Sequence, residues 1–164
     1  MLAPLLRVAL VLVVLLAPAA APPAHGQTGL PLPRFVSLRS DEVNVRAGPG
    51  TRYPIAWTFV RAGLPLEVVA EFDVWRKIRD MDGAEGWVHT SLLSGERTAV
   101  ILGSVRTLIS SPDAGGIPVV SAEPGVVGKV LECKGAWCRL EVAKRRGWLP
   151  RDQIWGTYPN ETVK

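Results

Sequence analysis

His89, Cys133 and Cys138 carry the side chains best suited to chemistry in this chain. A Cys–His hydrolase would need a free thiol beside His89, yet both cysteines lie far along the sequence and within reach of each other. A Ser-His-Asp site would have to use His89, and "HTSLL" (His89–Leu93) lacks the G-x-S-x-G elbow that exposes a serine nucleophile. The two thiols are not spaced C-x-x-C, and two ligands fall short of the four that structural zinc takes. The carboxylate pairs Asp80 with Asp82 and Asp41 with Glu42 sit in charge-rich turns, without the apolar setting that raises a carboxyl pKa. "AGPG" (Ala47–Gly50) could suggest a phosphate cradle, but the G-K-[ST] ending and a following helix are missing. No catalytic residue, metal or cofactor is expected, and the chain reads as non-enzymatic.

The elements that position these residues begin after a leader. Arg7 precedes the apolar run Val8–Ala17, and a Pro- and Ala-rich stretch follows, the layout of a secretory signal peptide over residues 1–26. The run is too short for the roughly 20 residues that span a bilayer, so no membrane span is expected after cleavage. Ala24-His25-Gly26 places small residues at the −3 and −1 positions, predicting cleavage after Gly26, with Ala19-Ala20-Ala21 as the second choice. Cleavage there would also remove His25. The protein is therefore expected to be periplasmic or secreted. Residues 27–103 balance nine basic against nine acidic side chains, while 104–164 carry nine and six. That mild excess centres on Lys144–Arg146, which reads as a solvated turn, and it does not support nucleic-acid binding.

The rest of the chain repeats itself. At an offset of 62, Ile55 falls on Ile117, Gly63 on Gly125, Val68 on Val130 and Trp75 on Trp137. After one deletion, Gly86-Trp87 falls on Gly147-Trp148 and Leu93 on Ile154. Each copy shows short runs rich in β-branched residues, such as "LEVVAEF" (Leu66–Phe72) and "VGKVLEC" (Val127–Cys133), punctuated by Gly and Pro. No sustained 3.6-residue apolar period interrupts them. This pattern predicts an all-β protein of two small units, with a linker at 27–35 and domains at 36–98 and 104–160, joined near Ser94–Ser104. Units this small should pack on each other or gain a cross-link.

The repeat also bears on the cysteines. Cys133 aligns with Glu71 and Cys138 with Arg76, so opposite charges in one copy replace two thiols in the other. Both pairs profit from facing each other across a hairpin. A two-residue turn at Gly135-Ala136, glycine first as type II′ prefers, makes Cys133 and Cys138 a non-hydrogen-bonded pair, where strands approach closest. A disulfide is expected, and secretion favours it.

"VNVRAGPGTRYPI" (Val43–Ile55) resembles the opening of bacterial SH3-like (SH3b) domains, a likeness that continues through Gly63, Val68, Trp75 and Ile78 to "GWVHTSLL" (Gly86–Leu93). The second copy is more divergent: it keeps Gly125, Trp137 and "GWLPRDQI" (Gly147–Ile154) but has "TLISSPDAGGIPV" in place of the loop. Its ending "WGTYPNE" and the "CKGAWC" hairpin resemble secreted tandem SH3-like proteins of Gram-negative bacteria. The resemblance implies two small barrels of five to six strands in tandem. It also implies peptide recognition, with peptidoglycan or a cell-wall peptide as ligand, or an envelope protein as the alternative partner. Many relatives are attached to wall-cleaving enzymes; residues 27–164 leave no room for such a domain, so a stand-alone module is expected. Such barrels bind extended peptides with loop aromatics. Tyr53 and Trp57 are unique to the first copy, where the second has Gly115 and Val119, which makes them ligand candidates. Arg46 and Arg52 could meet ligand carboxylates. Trp75 is a further candidate, although recurrence as Trp137 more often marks a shared core. The loop itself reads as a strand entering a turn, with Gly48 and Gly50 supplying positive-φ freedom.

Overall fold

The computed structural model describes residues 27–113 and 115–164; the leader and its cleavage site fall outside the described residues. The first copy contains β1 (Arg34–Leu38), β2 (Val43–Arg46), β3 (Ile55–Phe59), β4 (Pro65–Phe72), β5 (Trp75–Arg79), β6 (Glu85–His89) and β7 (Leu93–Ser94). The second contains β8 (Thr98–Ile101), β9 (Arg106–Ile109), β10 (Pro118–Ala122), β11 (Val127–Lys134), β12 (Trp137–Val142), β13 (Arg145–Pro150) and β14 (Ile154–Trp155). A single 3-10 turn precedes the last strand of each, at Thr90–Leu92 and Arg151–Gln153.

The two antiparallel sheets have the same strand order, β3-β2-β6-β5-β4-β1-β7 and β10-β9-β13-β12-β11-β8-β14. Equivalence extends to single hydrogen bonds. Leu38 N–H donates to Leu64 O at 3.0 Å, and Ile101 N–H to Val126 O at 2.9 Å. Arg39 N–H reaches Leu92 O as Leu102 N–H reaches Gln153 O. Each sheet counts seven strands, more than the five to six expected, because the two-residue β7 and β14 return after the 3-10 turn to pair with β1 and β8.

The boundaries differ from the expectation at two places. The expected bounds place Thr98–Ile101 at the end of the first unit and in the connection, yet it is the first strand of the second sheet, pairing with β11 and β14. The run is short and lacks apolar–polar alternation, because all four residues are buried. Ala99 and Ile101 enter the second core. Thr98 faces the first copy, its Oγ1 donating to Gly63 O at 2.6 Å. Likewise Arg34 and Phe35, placed in the linker, belong to β1.

Alternation decides what each strand buries. Val43 and Val45 of β2 point inward while Asn44 and Arg46 stay half exposed, as the sequence implies. The first core gathers Val43, Val45, Leu66, Val68, Ile78 and Val88 around Leu38 and Leu93. The second gathers Leu108, Leu140 and Leu149 with Ala99, Ile101 and both cysteines.

The copies also pack on each other. Phe35 meets Trp155 edge-on at 5.0 Å and Tyr158 at 4.7 Å between ring centroids. The Tyr158 hydroxyl donates to Glu67 Oε1 at 2.8 Å, and Arg61 Nη1 to Gly125 O at 2.8 Å. Burial and the Glu67 acceptor push the Tyr158 hydroxyl pKa well up, so it remains a donor.

The aligned pairs at the hairpin tips take the expected register, Glu71 opposite Arg76 and Cys133 opposite Cys138. Gly135 has φ +53°, and Cys133 N–H turns outward to Val163 O at 3.0 Å, so the cysteines form a non-hydrogen-bonded pair. A Cys133–Cys138 disulfide closes it, with Cα atoms 4.1 Å apart. Cross-linking residues only five apart removes little unfolded-state entropy. Loss of the bond in Cys133→Ala/Cys138→Ala is therefore expected to cost about 2 kcal/mol. Urea unfolding of the double variant against the oxidised protein would check this.

Candidate functional site

The sequence-predicted ligand residues separate into two groups. Arg46 ends β2, and Arg52 and Tyr53 lie in the loop that leads to β3, closed by Ala47 N–H to Pro54 O at 3.0 Å. Arg46 Nη1 donates to Thr51 O at 3.1 Å and to Tyr53 O at 2.8 Å, so its guanidinium holds the loop together. The Arg52 guanidinium lies 5.1 Å from the Tyr53 ring centroid. Neither Gly48 nor Gly50 takes a positive φ, contrary to the reading of this turn. Gly48 is required for a different reason: a Cβ there would lie 2.5 Å from the nearest Tyr53 ring atom. The glycine is the seat of an aromatic ring.

Trp57 and Trp75 lie outside that loop. Trp57 pairs with Val45 across the ladder, packs on the first core and meets Phe59 edge-on at 6.1 Å. Trp75 opens β5, is 8% exposed, and is covered edge-on by His89 at 5.4 Å. His89 Nδ1 accepts the Ser91 N–H at 3.2 Å, which fixes the imidazole as the cap of a 3-10 turn. The acidic pairs are structural too. Asp80 Oδ1 accepts N–H groups of Asp82 and Ala84, and Asp41 Oδ1 that of Ala62. Among the described residues, no group of three or more His, Cys, Asp or Glu side chains could hold a metal.

A cleft of about 700 Å³ lies in the second copy, over Trp137. Trp137 is the structural counterpart of Trp75: they pair with Pro150 and His89 at the same point of the ladder. In the first copy the imidazole covers the indole. In the second, the smaller pyrrolidine of Pro150 leaves the half-buried Trp137 at an open surface. One wall is the disulfide-pinned turn, Gly135-Ala136. The opposite wall is the C-terminal segment, through Thr157, Pro159 and Asn160.

Arg151 ties the walls together. Its Nε donates to Gly135 O at 3.1 Å, Nη1 to Tyr158 O at 2.6 Å and Nη2 to Glu161 O at 2.8 Å. Glu161 in turn accepts the Tyr158 N–H at 3.1 Å and pairs with Arg97 at 2.6 Å. Burial pushes the Glu161 carboxyl up, but Arg97 and the Tyr158 N–H outweigh it and hold it below the ordinary range. Asn160 takes φ +64°, a left-handed conformation that asparagine tolerates. The Thr157 hydroxyl has no hydrogen-bond partner among the described residues. The size and mixed lining of this cleft suit a small ligand or a few residues of extended peptide.

Sequence reasoning named Trp137 only as a repeat of Trp75 and passed over Pro150, Arg151, Asp152, Thr157 and Asn160. One signal was available: at the offset of 61, His89 becomes Pro150 beside a recurring tryptophan. The C-terminal wall has no counterpart in the first copy, so no repeat could reveal it.

Comparison with known proteins gives three findings. The family model described as bacterial SH3 domain matches residues 39–95 and 107–156. A Bacillus subtilis (strain 168) protein provisionally named N-acetylmuramoyl-L-alanine amidase YrvJ is 27% identical over 128 residues, covering 71% of this chain. The chain spans only 24% of that relative's length. Solved structures of NlpC2 and NlpC1 from Trichomonas vaginalis resemble it at a TM-score of 0.35, with 10% and 11% identity. They cover 80% and 89% of this chain, which in turn spans 50% and 51% of theirs.

Proposed function

Since the chain belongs to the bacterial SH3 domain family, through two copies, we propose that it is a non-catalytic module that binds peptidoglycan or a wall-associated peptide. The ligand enters the cleft over Trp137. One observation carries this reading: the same tryptophan is covered in one copy and opens onto a 700 Å³ cleft in the other. The relative's name supports the cell wall as the setting, since an N-acetylmuramoyl-L-alanine amidase acts on wall material. The disulfide suits an oxidising compartment, as a periplasmic or secreted protein would meet.

Co-sedimentation with purified peptidoglycan tests the proposal. The protein is expected to sediment with the wall at physiological salt. Trp137→Ala removes an aromatic anchor and should weaken binding by roughly tenfold or more. Tyr53→Ala should leave it within about twofold, because Tyr53 lies in the other copy. The reverse pattern would move the site to the Arg46–Tyr53 loop. Absence of sedimentation would favour an envelope protein as the partner.

A further inference from the structure

We infer that the Trp137 cleft selects a ligand segment bearing a free primary ammonium group, held by the Asp152 carboxylate against the indole face. This rests on the placement of the binding site at Trp137, and it adds the ligand's chemistry.

Two charged side chains line the cleft, Arg151 and Asp152. Arg151 is spent: its nitrogens donate to three carbonyl oxygens, and the Glu161 carboxylate lies close enough to feel its charge. It is a strut between the walls. Asp152 is exposed and makes no hydrogen bond or ion pair among the described residues. The floor beside it is an indole.

A carboxylate beside an aromatic face suits one functional group. An alkylammonium has three donors and a compact positive charge, and tryptophan is the best of the aromatic faces for it. A ligand carboxylate would find no uncommitted cation there and would face Asp152. This reverses the polarity expected of the first-copy loop with Arg46 and Arg52. The feature belongs to the second copy alone, because Ser91 stands at the position of Asp152 and His89 covers the other tryptophan.

The test is an NMR titration of the purified protein with the peptide Ac-Ala-Lys-Ala-NH2 and its Nε-acetylated form, read at the Trp137 indole N–H. That resonance is assigned by its loss in Trp137→Phe. The amine peptide is expected to bind about fivefold more tightly than the acetylated one, the upper range for an exposed ion pair. Asp152→Asn should remove most of that preference without weakening the acetylated peptide. Asp152 is exposed, so the variant should fold, and its amide spectrum shows whether it has. Equal binding of the two peptides, no shift of the Trp137 indole, or an unchanged preference in Asp152→Asn would each overturn the inference. Sedimentation with wall material before and after chemical acetylation of its amines separates the two readings. Undiminished binding to acetylated wall sinks the ammonium inference and leaves wall binding standing. Peptide binding without sedimentation does the opposite.

Discussion

Glu71→Ala is expected to destabilise the protein by about 3 kcal/mol, because it strands two arginines that one buried carboxylate now neutralises. The Glu71 side chain is fully buried. It pairs with Arg34 Nη2 at 2.6 Å and Arg76 Nε at 3.4 Å, and it accepts the Thr28 N–H and hydroxyl, each at 2.9 Å. Burial alone would push this carboxyl up. The Thr28 donors and the Arg34 guanidinium outweigh it and hold the pKa below the ordinary 4.5. A lowered folded-state pKa gives stability that is present above the unfolded value and lost as pH falls through the folded one. Wild-type stability should therefore decline as the solution is acidified below about pH 4.5. Glu71→Gln, which cannot titrate, should decline less steeply; Glu161, also held low, keeps part of the slope in both. Urea unfolding at neutral and acidic pH would measure both effects. An equal slope in Glu71→Gln would remove Glu71 from the account.

Gly156→Ala should be comparably damaging, at about 2–4 kcal/mol, and should abolish ligand binding as well. Gly156 has φ +131°, a backbone region closed to side chains. A Cβ there would run into the Thr98 carbonyl oxygen and stand 3.0 Å from the Ala99 Cα, both in β8. Backbone cannot swing aside as a flexible side chain can. The segment from Gly156 onward must therefore lift away, taking the cleft wall and the Tyr158 contact with it. Faster proteolysis near the C-terminus, with lost response of the Trp137 indole to ligand, is the expected signature. A variant with unchanged proteolysis would show that the segment can repack.

The fold was largely legible in the sequence because a duplicated chain states its pattern twice. The offset aligned Leu93 with Ile154, which pair at equivalent points of the two ladders, and the Glu71–Arg76 pair with the cysteines, which take the predicted register. The β8 strand was missed because its burial by two partners erases the alternation that marks a half-buried strand. The proposed site at Trp137 was harder to read. Tyr53 and Arg46 look like ligand groups by type, but one packs on Gly48 and the other is committed to loop carbonyls. The cleft arises instead from a subtraction, the imidazole of His89 replaced by Pro150, and from an added wall. Neither change has a composition or a motif of its own.

Thr157, Pro159 and Asn160 wall the cleft on one side, while Tyr158 between them is anchored on Phe35 and Glu67 of the first copy. Occupancy of the cleft and closure of the joint between copies therefore share one short segment, and coupling of this kind is reciprocal. A ligand that steadies the wall grips the first copy more firmly through Tyr158. Mechanical load that pries the first copy away must loosen the ligand by the same free energy.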